Sequence, residues 1–87
     1  MSAETEAMPT IEDVVGSLSG FDEVAIEQKF KGDLGSLNNT MTARALVFVL
    51  ERRAGKDDKA AYGESMRLTL KDVNARFSGS GDDEGNG

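Results

Sequence analysis

The run Ala43-Arg44-Ala45-Leu46-Val47-Phe48-Val49-Leu50, closed by Glu51-Arg52-Arg53, constrains this chain more than any other feature. It is the densest apolar stretch in 87 residues, so whatever core forms must be built around it. A chain this short makes one domain, near the lower limit at which a single hydrophobic core holds unaided. Disulfide staples are excluded, because the sequence contains no cysteine. It has no histidine either, which removes the usual zinc ligands, the commonest general base and the thiol nucleophiles.

A segment as apolar as 43–50 could be a strand, and Val47 and Val49 favour one. Its flanks decide for a helix. Thr42-Ala43-Arg44-Ala45-Leu46 has good helix propensity, Arg52 and Arg53 sit where a helix dipole is negative, and Gly55 is a C-terminal stop. The spacing therefore predicts a helix from about Thr40 or Met41 to Ala54. Its apolar positions cover more than one face: Met41, Ala45 and Phe48, and, rotated from these, Leu46, Val49 and Leu50. A helix apolar over most of its circumference is either central to its own domain or shared with another molecule.

Shorter helices account for the rest. Thr10 is an N-cap with Asp13 at capping-box spacing, and Ile11, Val14, Val15 and Leu18 form one apolar face that ends at Gly20. A second helix is expected from Asp22 as its cap, with Phe21 stapled onto Ile26, and with Val24, Ala25, Ile26 and Phe30 facing inward. Gly32 to Asn39 reads as a turn pinned by Leu34 and Leu37. Asp57 or Asp58 caps a fourth helix through Ala60, Ala61, Tyr62 and Met66. Thr69 and Asp72 have the same cap spacing before a last helix, Leu70 to Phe77. The fold class expected is all-α: a compact orthogonal bundle of four to five short helices around one longer central helix. Its core would comprise Val14, Leu18, Ile26, Phe30, Leu46, Val49, Leu50, Tyr62, Leu68, Leu70, Val73 and Phe77.

The domain is expected over residues 10–77, between a disordered tail (1–9) and a flexible, acidic, Gly/Ser-rich tail (78–87). Between Pro9 and Phe77 there are 11 acidic and 10 basic side chains, so most of the net charge of −6 comes from Glu4, Glu6, Asp82, Asp83 and Glu84. Acidic ends on a balanced body favour solubility and disfavour nucleic acid. Arg52, Arg53, Lys56 and Lys59 are the one basic cluster, without the aromatic or amide readers that nucleic-acid recognition wants. Met1 to Glu6 lacks the plan of a signal peptide, and no run approaches the roughly 18 apolar residues of a membrane span. A soluble, cytoplasmic protein is expected, with neither membrane nor nucleic acid as partner.

Nothing in the sequence suggests catalysis. Asp57 and Asp58 are adjacent in a polar turn, and the serines lack a histidine. The tail acids lack a calcium-loop pattern, and Gly32-Asp33-Leu34-Gly35 lacks the remaining glycine and lysine of a phosphate loop. No cofactor and no metal are expected.

Three segments in order carry a resemblance: Ser17-Leu18-Ser19-Gly20-Phe21-Asp22-Glu23-Val24-Ala25-Ile26-Glu27, then Ala43 to Arg53, then Leu68-Thr69-Leu70-Lys71-Asp72-Val73. Over most of residues 11–77 the chain resembles the small tail assembly chaperones of long-tailed, siphovirus-type bacteriophages. The resemblance implies a helical, non-catalytic protein that binds the tape measure protein. It would keep that protein soluble in the host cytoplasm until tail tube subunits polymerise around it, and it would be absent from the mature virion. It also implies self-association and encounter with the tail tube protein. Many such chaperones exist in a short form and a frameshifted long form, and this chain would correspond to the short one. On that reading Met41, Val47 and Phe48 are apolar contacts left outside the core, with Arg52 and Arg53 meeting acidic groups at the rim. A structural virion or connector subunit, or a small helical regulator of a host protein, are the competing classes.

Overall fold

Thr10 opens the first helix, α1 (Ile11–Gly16), with the expected reciprocal cap. Its Oγ1 accepts from the Asp13 N–H at 3.0 Å, and its own N–H donates to Asp13 Oδ2 at 3.3 Å. The computed structural model describes residues 8–77, and every regular element among them is helical. The expected tails fall outside the described residues, apart from Met8 and Pro9, which lead into this cap. On α1 only Val14 is buried, and Val15, expected on the same face, is exposed.

The second helix, α2 (Gly20–Phe30), corrects the sequence reading. Its cap is Ser19, whose Oγ accepts from the Asp22 N–H at 3.2 Å while Asp22 Oδ2 accepts from the Ser19 N–H at 3.0 Å. Asp22 is thus the third residue of the helix, and Gly20 is its first residue. Phe21 then lies within the first turn, where it cannot staple onto Ile26; it is 85% exposed. Ile26 and Phe30 define the inward direction, and at roughly 100° per residue Val24 falls on the opposite side. Val24 is accordingly 53% exposed. Lys31, in the left-handed conformation, ends the helix, and a single 3-10 turn (Leu34–Ser36) capped by Asp33 follows. Leu34 and Leu37 pack against the core, as the sequence implied.

The central helix is α3 (Asn39–Arg53), capped by Asn38, whose Oδ1 accepts from the Met41 N–H at 2.8 Å. It ends at Ala54, followed by Gly55 at φ 110, a conformation that excludes most side chains. Its excess of apolar surface has an intramolecular use. Ala45, Phe48 and Val49 face one cluster, with Ala25, Ile26 and Phe30 of α2 and Ala61 of α4 (Asp58–Arg67). Ala43, Leu46 and Val47 face a second cluster, with Val14 of α1, Val73 of α5 (Leu70–Asn74) and Phe77. Leu18 packs against both. These two sets of α3 residues lie on nearly opposite sides of the helix. One helix thereby serves two half-cores.

The first cluster contains an edge-to-face aromatic trio: Phe30 and Phe48 at 5.6 Å between centroids, Phe30 and Tyr62 at 5.2 Å. Lys29 lies with its ammonium 6.0 Å from the Tyr62 ring centre. Asp57 caps α4, and Thr69 caps the short α5, which stops at Asn74 and not at Phe77. Val73 and Phe77 are buried as expected, but Leu70 is 45% exposed and leaves the core. Leu70 is the first residue of α5, with Val73 turned inward one turn later. Among the described residues the architecture is an all-α bundle of five helices arranged about α3, 34 × 29 × 24 Å across. None of these helices is long and apolar enough to cross a membrane.

Candidate protein-docking surface

The side chains that the sequence nominated for partner contact are enclosed or engaged. Val47 and Phe48 are 0% exposed, one in each half-core, so α3 has no free apolar face where they stand. Met41 is half-buried against the first cluster. Their burial follows from the two-sided packing of α3.

Arg52 and Arg53 turn back onto their own chain. Arg52 Nε donates to Asp58 Oδ1 at 2.7 Å and its Nη1 to Asp22 Oδ1 at 3.2 Å, while the guanidinium lies 5.7 Å from the Phe48 ring centre. Arg53 Nη2 donates to Asp22 Oδ2 and to the Ser17 carbonyl, both at 3.1 Å, and its Nη1 donates to Ser17 Oγ at 2.9 Å. Burial pulls the Asp22 carboxyl upward, but the Ser19 N–H and the Arg53 guanidinium outweigh it and hold the pKa below the usual 3.8.

Other cations are likewise bound within the domain. Arg44 Nη1 donates to the Ser65 and Leu68 carbonyls, both at 2.8 Å, satisfying acceptors at the end of α4. Buried Glu51 accepts from Lys56 Nζ at 2.7 Å and from Arg76 Nη1 at 2.6 Å. These two bonds lower its pKa from 4.5 against the opposing effect of burial. Arg67 pairs with Glu64, which Arg76 also approaches at 3.6 Å. The structural arginines were only half legible: Arg52 and Arg53 stood out as a cluster, while Arg44 and Arg76 gave no local signal.

An unclaimed surface lies on the outside of α2. Gly20, Glu23, Val24 and Glu27 form one wall of a groove of about 530 Å³, and Leu34 and Gly35 of the 3-10 turn form part of the other. Asp33 stands at its rim and is bound locally, accepting from the Ser36 N–H at 3.0 Å. A shallower depression of about 350 Å³ shares Glu27 and continues past Gln28 to Lys31. Phe21, three positions before Val24, is its neighbour on the helix surface. Glu23 and Glu27 make no ion pair among the described residues, unlike Asp22, Glu51, Asp58 and Glu64. The acids are spread along the groove and do not converge; among the described residues no group of three could hold a metal ion.

The sequence carries a signal for this surface. The Ser19–Asp22 capping box sets the start of α2 and puts Phe21 in its first turn on the outer face, and Val24 is out of phase with Ile26 and Phe30. Compared with family models, with curated proteins and with solved structures, the chain gives no match.

Proposed function

We propose that this chain is a non-catalytic holding protein of the tail assembly chaperone kind, keeping a tape measure protein soluble until tail tube protein assembles around it. On this reading it acts in the host cytoplasm and is left out of the finished particle. Support comes from the order of the three resembling segments, around a helical body whose arginines are used internally. The observation that carries the reading is the exposed apolar pair Phe21–Val24 beside a groove. An 85%-exposed phenylalanine contributes nothing to the monomer core. Apolar surface displayed beside a concavity is the usual mark of a protein contact. The site of action thus moves from α3 to α2.

Holding needs no chemistry. A long helical client carries apolar stripes that aggregate when uncovered, and a small domain that covers them suppresses this by mass action. The test is co-expression with the product of the gene immediately downstream, followed by size-exclusion chromatography with light scattering that reads whether a long helical protein co-elutes. Co-elution with a soluble client is expected. A client that stays insoluble with or without this chain contradicts the reading, as does recovery of the chain from purified particles.

A further inference from the structure

We infer that the α2 groove takes a helix whose apolar stripe is flanked by lysine and arginine. The inference rests on the holding role proposed above and adds the chemistry of the client segment. With the arginines used internally, the groove and its extension are left with a net negative charge. All five arginines of the domain (Arg44, Arg52, Arg53, Arg67 and Arg76) are bonded to acceptors within it. The groove and its extension carry three carboxylates, Glu23, Glu27 and Asp33, against the single ammonium of Lys31. Val24 and Leu34 supply apolar wall, and Phe21, outside the lining, stands exposed one helical turn before Val24. Acids around an apolar strip select a partner with the opposite arrangement, through encounter rate and register.

The same charges decide against other occupants. The tails bring Glu4, Glu6, Asp82, Asp83 and Glu84, which a groove of this sign repels. A second copy placed face to face sets Glu23 and Glu27 against their own counterparts, which is unfavourable. A client helix can follow α2, whose 11 residues extend roughly 16 Å, and so offer about three turns of apolar positions to Val24 and Leu34, with Phe21 at the margin of the contact.

The experiment uses the full 87-residue chain and two designed helical peptides of about 20 residues. Both share one leucine stripe at i, i+3 and i+7 spacing; one has lysine and arginine flanks, the other glutamate flanks. Fluorescence anisotropy should show the basic peptide binding at least about tenfold more tightly, with affinity falling as salt rises. The double variant E23Q/E27Q should narrow that preference and flatten the salt dependence. Phe21→Ala, at an exposed position, should weaken the basic peptide by about tenfold with an unchanged circular dichroism spectrum. Equal binding of the two peptides, no binding of either, or indifference to E23Q/E27Q overturns the inference. So does a concentration-dependent dimer that Phe21→Ala abolishes, because the groove would then belong to a second copy. The two readings fail separately. A chain that solubilises its client but shows no charge preference loses this inference alone; one that prefers the basic peptide but leaves the client insoluble loses the holding role alone.

Discussion

Asp22 Oδ1, in the first turn of α2, accepts a hydrogen bond from Arg52 Nη1, in the last turn of α3, at 3.2 Å. The pair joins residues 30 apart in sequence. It fixes the start of α2 to the end of the central helix. The other oxygen of Asp22 serves both the Ser19 N–H and Arg53 Nη2, so one carboxylate combines a helix cap with an interhelical clamp.

Asp22→Asn should therefore cost more than an ordinary surface substitution. It removes the charge that two guanidiniums share and weakens the cap, and the expected loss is about 1–3 kcal/mol. Urea denaturation measures it. A change within about 0.5 kcal/mol would mean that the clamp is ornamental.

Acid should loosen the same joints. Asp22 and Glu51 both have pKa values lowered on folding, so the unfolded chain binds more protons than the native one below their ordinary values of 3.8 and 4.5. Stability then rises with pH in that window. The contribution of the two groups is complete above it and drains as the pH falls through the folded values. Urea midpoints should stay flat from about pH 7 to 5 and fall below about 4.5, less steeply in D22N/E51Q. A midpoint that rises on acidification contradicts the account.

Phe48 and Phe21 should behave as opposites. Phe48 is fully enclosed between Phe30 and Tyr62, so Phe48→Ala should cost about 3–5 kcal/mol and unfold much of so small a domain. Phe21→Ala should leave stability within about 0.5 kcal/mol. Thermal melts of the two variants check this directly.

Gly63 lies inside α4, and a methyl group added there meets nothing within 4 Å. Gly63→Ala should stabilise the domain by roughly 0.5–1 kcal/mol, a rise of a few degrees in Tm. A fall in Tm would show that the α4 backbone needs this glycine for a reason other than space.

Much of this fold was legible because caps are local. Thr10, Asp57 and Thr69 each sit three residues before the N–H they bind, a spacing visible in the chain. The central position of α3 was legible from its composition. Less legible was which of two explanations its apolar circumference required, because the two half-cores form only when α1 and α5 close one side and α2 and α4 the other. Where the nominated side chains face was hard to read for the same reason. Arg52 and Arg53 read as outward-facing because Asp22 and Ser17 are distant in sequence, and Phe21 reads as a staple only when α2 starts at an Asp22 cap and not at the Ser19 cap.

The central claim is that the working face is the outside of α2 and not α3. The most direct measurement is the ¹H–¹⁵N spectrum of the full chain, titrated with a soluble segment of the proposed tape measure client. The account predicts shift changes centred on Phe21, Glu23, Val24, Glu27 and Leu34, with Val47 and Phe48 unmoved. Changes centred on α3, with the α2 resonances left in place, would contradict it.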